Sequence, residues 1–286
     1  MSKPFQIVLV QPAGYAFSMA LAEAVEYVAA MLRACGHEAQ VAVNGLRNDA
    51  HNVVFCGHLM NRGDVAQLPR DTILFNSEPL ARQDVWHLGS DVYREALARH
   101  HVWDYAQRNA DAIPHERKDV LPFWYCPALV RRRPPAGARK ALLFYGVPTP
   151  WRRAVLAEIA AAGVEVQFMH NGFGAARDAI LWDARAVLNL HKTGDNGVFE
   201  PIRCFYPLIN RVPVIGEDVT GDPAADAFRD SMFFLPRDGI GASIRRLVDD
   251  ADCFAAATSV QFGQFERKSA VPQFRAAVDR YLEAVR

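Results

Sequence analysis

The sequence predicts an α/β protein built as two parallel-sheet domains, and three observations predict it. Strand-length apolar runs alternate with amphipathic stretches of helical length, a basic and proline-containing segment interrupts the alternation once, and the alternation then starts again. Strands apolar on both faces belong in a sheet covered on both sides, which is the parallel kind. A length of 286 residues suits one large or two modest domains.

The first series opens with FQIVLVQ at 5–11, a continuous β-branched run that reads as a strand. Residues 18–35 then carry Met19, Leu21, Val25, Val28, Ala29 and Leu32 at helical spacing and stop at Gly36, where a glycine ends a helix well. Further strands are predicted at 39–43, 52–56, 72–76 and 119–125, separated by helical or polar stretches such as 89–99. RRRPPAGARK at 131–140 holds two prolines, a glycine and five basic residues, which suits a linker and sets domains of 1–130 and 141–286. The second series follows: strand 141–145, helix 150–162, strand 164–169, helix 174–184, strand 186–190, helix 199–210, strand 212–216 and a short strand at 232–235. Residues 236–286 read as helices, with Ile240, Ile244, Leu247 and Val248 on one face of the first and Phe274, Val278, Tyr281, Leu282 and Val285 on one face of the last. Such a helical tail needs a surface to pack on, and the first domain is one candidate.

Composition narrows the function. Half the residues are apolar, 22% are charged, and 32 basic side chains balance 32 acidic ones, so nothing pulls polyanions and nucleic acid is excluded as a main partner. The N-terminal MSKPFQIVLVQPAGYAF lacks a signal peptide's apolar core and cleavage site, and no apolar run is long enough to span a bilayer; a cytoplasmic location is the expectation. The five cysteines, Cys35, Cys56, Cys126, Cys204 and Cys253, are widely spaced and free of Cys-x-x-Cys pairs, so they read as small buried hydrophobes. Cys56-Gly57-His58 invites a nucleophile reading that the sequence leaves without a third partner.

The segment LNLHKTGDNGVFEPIRCFYPLINRVPVIGED at 188–218 carries the most chemistry. In a parallel sheet, ligands bind beyond the carboxyl ends of strands, where helices present unpaired N–H groups and the positive end of their dipoles. Strand 186–190 ends there at His191 and Lys192, Gly194 and Gly197 supply turn chemistry, and a helix starts at Phe199 or Glu200 with Pro201 in its first turn. Ile202, Phe205, Tyr206 and Ile209 make the buried stripe, leaving Glu200 and Arg203 on another face, while Pro207 removes the bond to the Arg203 carbonyl and makes the helix kinked or short. A glutamate favoured by the helix dipole, in a solvated pair with an arginine, accounts for the same residues equally well. Elsewhere Gln11-Pro12-Ala13-Gly14 follows the first strand, where Gly14 would let backbone approach a ligand, and His100-His101 with Trp103-Asp104-Tyr105 would suit either sugar stacking or core. NGFG at 171–174 lacks the dinucleotide fingerprint, so NAD is not supported.

The segment NLHKTGDNGVFEPIRCFYPLINRVPVIGE resembles the donor-site segment of glycosyltransferases of the two-Rossmann-domain kind called GT-B, of the family 1 and family 4 type, above all bacterial ones. LLFYGVPTPWRRAVLAEIAAAGVEV at 142–166 is similar to the opening of that donor domain, and ILFNSEPL at 73–80 and VWDYAQRNADAI at 102–113 look like its acceptor-domain segments. The resemblance implies two Rossmann-like domains facing across a cleft, the first taking the acceptor and the second a nucleotide-sugar donor. It implies transfer of a hexosyl or related sugar to a glycan, lipid-linked or protein acceptor in glycan assembly, with room for peripheral membrane contact. Glu200 would then bind the ribose hydroxyls, and Arg152 or Arg153, Lys192, Arg203 and the amides near Gly194 to Gly197 would hold the diphosphate, beside Gly146 and His191. The loop of His170 and Asn171 would meet the nucleobase, although a lone histidine there also reads as structural. Gly14 and Asn76 fall on the acceptor side.

No Asp-x-Asp pair is present to hold Mn²⁺ or Mg²⁺, and Asp249-Asp250 reads as a solvated helix end, so the expectation is no metal and no cofactor beyond the nucleotide-sugar substrate. Retaining members often carry a glutamate eight positions before the one at Glu200, and Lys192 stands there instead. The stereochemical outcome is thus not carried over; an inverting reaction would need a general base, for which Glu78, Asp104 and His58 are candidates. A catalytically silent nucleotide- or glycan-binding module and a nucleotide-sugar epimerase share the same architecture and remain alternatives.

Overall fold

The computed structural model describes residues 3–80, 91–131, 141–194 and 198–286. The chain forms two compact units, Met1–Ala128 with Ser269–Arg286, and Leu129–Lys268. In the first, strands β1 (Phe5–Leu9), β2 (Ala39–Val43), β3 (His51–Phe55), β4 (Ile73–Asn76), β5 (His101–Asp104) and β6 (Lys118–Val120) form one parallel sheet in the order β2-β1-β3-β4-β5-β6. Helices α1 (Ala22–Ala34), α2 (Arg62–Ala66), α3 (Asp91–Arg99) and α4 (Gln107–Asp111) connect them. The strands β1, β3, β4 and β5 are buried along their whole length, as the apolar runs require, and Val8, Val54, Leu74 and Val102 pack against Tyr93, Ala96 and Leu97 of α3.

The second unit repeats the plan. Strands β7 (Leu142–Tyr145), β8 (Val166–Met169), β9 (Val187–Asn189), β10 (Val214–Glu217) and β11 (Phe233–Leu235) run parallel in the order β11-β10-β9-β7-β8. They alternate with α5 (Pro150–Ala161), α6 (Gly174–Leu181), α7 (Phe205–Ile209) and α8 (Pro223–Asp226), and are followed by α9 (Ile240–Asp249) and α10 (Ala251–Glu266). Leu142, Phe144, Leu188 and Ile215 of the sheet meet Val155 and Ile159 of α5 and Ile240, Ile244 and Val248 of α9. Counted from its own first strand, each sheet reads 2-1-3-4-5, with the first unit adding a sixth strand. The chain therefore reverses its winding between β1 and β3 in one unit and between β7 and β9 in the other, and ligands gather at such points.

The structure departs from the sequence reading in three places. The fifth strand is His101–Asp104, and only Lys118–Val120 of the expected strand 119–125 joins the sheet, as β6. The expected helix 199–210 is a 3-10 turn, Pro201–Arg203, followed by α7. The division at 130 and 141 also changes: the last helix, α11 (Val271–Ala284), groups with the first unit instead of the second. Its stripe of Phe274, Ala277, Val278 and Tyr281 is fully buried there. Phe274 meets Trp103 and Tyr27 edge-on, the Tyr281 hydroxyl donates to the Asp71 carbonyl and lies 2.9 Å from His51 Nδ1, and Arg280 pairs with Asp119. The linker segment 132–140 lies outside the described residues.

Candidate functional site

The second unit's point of reversed winding brings two loops together, the one after β7 and the one after β9. Thr149 caps α5 with its hydroxyl 3.2 Å from the Arg152 N–H, and Pro150 occupies the first turn, so the helix starts sharply at the sheet's carboxyl end. Arg152 is 3% exposed and ties the loops: Nε donates to the carbonyls of Leu190 at 3.1 Å and His191 at 3.2 Å, and Nη1 to that of Val147 at 3.1 Å. Burial, then the neighbouring Arg203 guanidinium, pushes its pKa down to about 10, which leaves it a cation at neutral pH.

Arg203 comes from the 3-10 turn and donates Nη2 to the Tyr145 carbonyl, its guanidinium 5.8 Å over the Tyr145 ring. The two arginines close on Gly146, whose φ of +146° suits only glycine and whose missing Cβ matters directly: a Cβ there would lie 2.9 Å from Arg203 Nη2 and 3.5 Å from Arg152 Nη1. Glu200 stands beside them, partly exposed, with a carboxylate oxygen 3.8 Å from Arg203 Nε. As anticipated, Pro207 frees the Arg203 carbonyl, and the Tyr145 hydroxyl takes up the vacancy at 3.3 Å.

Two buried carboxylates missing from the sequence reading shape the other loop. Glu217, at the end of β10 and 2% exposed, accepts the His191 backbone N–H at 2.6 Å and the Trp151 indole N–H at 3.0 Å. Trp151 presses on Gly194, where a Cβ would come within 2.6 Å of the indole, and Arg237 lies 5.0 Å over its ring. Asp222, also 2% exposed, accepts the Phe199 N–H at 2.8 Å and caps α8 through the Ala224 N–H at 2.8 Å. The His191 imidazole Nε2 is buried with no hydrogen-bond partner; burial lowers its pKa against the upward pull of Glu217 and Glu200. Lys192 is exposed at the start of this loop, as are Arg153, His170 and Asn171. Arg153 turns its guanidinium back to the Pro148 carbonyl, and His170 stacks at 6.4 Å on Phe168 of the edge strand β8. Gly197 lies outside the described residues.

In the first unit the equivalent end of the sheet is built around amides. Asn76 is fully buried, accepts the Tyr93 hydroxyl at 2.7 Å and donates to Asp104 at 2.6 Å and to the Glu78 carbonyl at 2.7 Å. Asp104 also accepts the Ala106 N–H at 2.8 Å and the Asn109 amide at 3.1 Å, while Asn109 accepts the Leu80 N–H. Asp104, a candidate base from the sequence, is 0% exposed and holds the loop of Glu78 in place from inside the protein. Burial pushes its pKa up to about 7 against these hydrogen bonds. Asn76 likewise holds the loop from within. Glu78 is part-exposed and 3.6 Å from His58 Nε2. Close by, Cys56 sits in the left-handed region at φ +59° and burial pushes its thiol up to about 12, which removes the nucleophile reading. Gly14, at φ +75°, is exposed in the loop after β1. Trp103 and Tyr105 are core, and His101 pairs with Asp119 at 2.8 Å.

No protein-family model matches the chain. The solved structure of Anabaena HepE, in complex with UDP-glucose, superimposes with a TM-score of 0.59 at 11% identity over 98% of this chain and 99% of its own. AviGT4, a glycosyltransferase involved in avilamycin A biosynthesis, gives a TM-score of 0.57 at 16% identity over 98% of each chain. The fold is GT-B. At these identities the likeness establishes the fold and leaves the chemistry to the residues. A sequence relative, uncharacterized protein L140 of Acanthamoeba polyphaga mimivirus, is 23% identical over 196 residues, 66% of this chain and 62% of its own length.

Of the residues singled out from the sequence, this GT-B chain brings Gly146, Arg152, His191, Glu200 and Arg203 to one end of the second sheet and Glu78 and His58 to one end of the first. Which of Arg152 and Arg153 turns inward was already readable: Arg152 lies three and seven positions before Val155 and Ile159, on the buried stripe of α5. Glu217 and Asp222 carried a weaker signal, acids placed directly after an apolar strand and before a helix. Among the described residues no three His, Cys, Asp or Glu side chains converge to hold a metal, and no helix is long and apolar enough to cross a membrane.

Proposed function

We propose that this chain is a metal-independent glycosyltransferase that moves a hexosyl or related sugar from a nucleoside-diphosphate sugar to an acceptor hydroxyl in glycan or glycoconjugate assembly, acting in the cytoplasm. One observation carries the reading: two like-charged guanidiniums, Arg152 and Arg203, are packed around a single side-chain-free residue, Gly146, at the amino end of the twelve-residue helix α5. Crowding two cations is unfavourable without an anion to share, and the start of a helix adds N–H groups and a positive dipole end. A diphosphate satisfies that arrangement, and Glu200 beside Arg203 supplies the carboxylate that a ribose diol can donate to. HepE, with the same fold, binds UDP-glucose.

In this reading the glycosidic bond breaks as the diphosphate oxygen gains charge. Arg203, the α5 N–H groups and exposed Lys192 stabilise that charge, and Arg152 stiffens the two loops beneath it and adds its own field. His191, neutral because it is buried, offers Nε2 as a hydrogen-bond partner to the donor. On the acceptor side Glu78, paired with His58 at 3.6 Å, removes the proton from the acceptor hydroxyl, and Asp104, Asn76 and Asn109 hold its loop.

The test is a thermal-shift screen with UDP, GDP, CMP, dTDP and ADP conjugates, followed by Glu200→Ala with the conjugate that stabilises most. The variant should weaken donor binding by about tenfold or more, the value of one lost charge-assisted hydrogen bond, with little change in its own melting point. Unchanged affinity removes Glu200 from the site. Binding without slow release of free nucleoside diphosphate, across many acceptors, would make the chain a binding module.

A further inference from the structure

The donor-site loop is held at both ends by carboxylates from one short stretch of chain. After β9 the loop leaves at His191, whose backbone N–H is accepted by Glu217 at 2.6 Å, and it re-enters at Phe199, whose backbone N–H is accepted by Asp222 at 2.8 Å. Both carboxylates are 2% exposed, and both lie between the end of β10 and the start of α8. A buried carboxylate is costly to keep, and a sheet does not need one to end a strand. Each here spends its second oxygen on another N–H: Glu217 on the Trp151 indole at 3.0 Å, Asp222 on Ala224 at 2.8 Å. Those second bonds fix the carboxylates themselves, one against α5 and one at the head of α8.

We infer that Glu217 and Asp222 are positioning residues for the donor, a pair of buried acids that set the two ends of the 191–199 loop before any ligand arrives. The inference rests on the donor reading above and adds the cause of the site's geometry. Glu217 fixes where His191 leaves the strand, and hence where its partnerless Nε2 lies. Asp222 fixes the Val198–Phe199 peptide, one residue before Glu200, and hence the approach of the carboxylate meant for the ribose. Neither acid touches the donor. Their effect is to have the ordering cost of those two ends, His191 and Phe199, already met in the free protein, so that less of the binding energy is spent on them.

Two measurements test this. In wild-type protein without ligand, hydrogen exchange should show the His191 and Phe199 amides protected; exchange at the rate of an open loop overturns the inference and needs no variant to fold. Glu217→Gln and Asp222→Asn each put an amide N–H₂ where an N–H must be accepted, and should raise the dissociation constant for UDP, or whichever nucleoside diphosphate wild type prefers, by fivefold or more, at a temperature where circular dichroism shows them folded. The donor KM should rise with it while kcat changes less. Asp250→Ala is the control: Asp250 makes the same kind of bond, to the Cys253 N–H at 2.9 Å at the start of α10, so its loss should lower the melting point and leave nucleotide affinity unchanged. Folded Glu217→Gln and Asp222→Asn proteins that bind as wild type does overturn the inference alone. Wild type that binds none of the nucleoside diphosphates overturns the donor reading beneath it.

Discussion

The carboxyl ends of the two sheets invite direct comparison, since both sheets wind in the same order and reverse at the same place. In the first unit that end is filled by Asn76, Asp104, Asn109 and Tyr93, a set of buried donors and acceptors around one loop, beside Glu78 and His58, which are partly in solvent. In the second it is filled by arginines: Arg152 spends its donors on backbone carbonyls, and Arg203 crowds it over Gly146. The same topology thus presents a carboxylate with a histidine in one unit and paired cations in the other. What differs is the chemistry of four or five side chains at strand ends, and this is why the fold alone does not announce a reaction.

The largest expected effect breaks that comparison on the first unit's side. Glu78→Gln keeps the loop's hydrogen bonds that use the Glu78 backbone and removes the carboxylate proposed as proton acceptor together with its pairing to His58; on that proposal kcat should fall by about 10²–10⁴-fold with donor affinity unchanged. A kcat within a few-fold of wild type moves the base elsewhere. Next is the helix that returns from the second unit's sequence to the first unit. Tyr281→Ala empties a fully buried site and strips partners from His51 and Asp71, so it should cost about 3–5 kcal/mol in urea unfolding. Because α11 belongs to the first unit, the loss should appear in that unit's transition while the second unit's is unmoved. A single shared loss would mean the units unfold as one.

These two cases also show how far the sequence could be read. Strand–helix alternation gave both sheets because apolar runs and helical stripes are local. His101–Asp104 was missed as a strand because its histidine and aspartate look solvated until Asp119 and Asn76 are known to partner them. The stripe on α11 was legible, but a stripe does not name its partner. Glu200 and Arg203 stood out because a turn after a strand is where such residues act. Glu217 and Asp222 did not, because a buried acid and a solvated one look alike in sequence.

A further effect is a slope with pH. Burial raises the Asp104 pKa from 3.8 to about 7, so between those values the folded protein holds a proton that the unfolded chain has released. The contribution of Asp104 should therefore fall as pH rises from about 4 to about 7 and level off above; because burial lowers the pKa of His51, His100 and His191, which pushes the other way, it is read as the stability difference between wild type and Asp104→Asn. A difference that rises through the window would show that the hydrogen bonds from Asn76, Ala106 and Asn109 outweigh burial.

The central claim is that Arg203, packed with Arg152 around Gly146, receives a diphosphate. Calorimetric titration of the preferred nucleoside diphosphate, and of its nucleoside without phosphates, into wild type and Arg203→Ala tests it most directly. The diphosphate should bind wild type at least about tenfold more tightly than the variant, and the bare nucleoside should bind both alike. Equal diphosphate affinity for the two proteins would contradict the account.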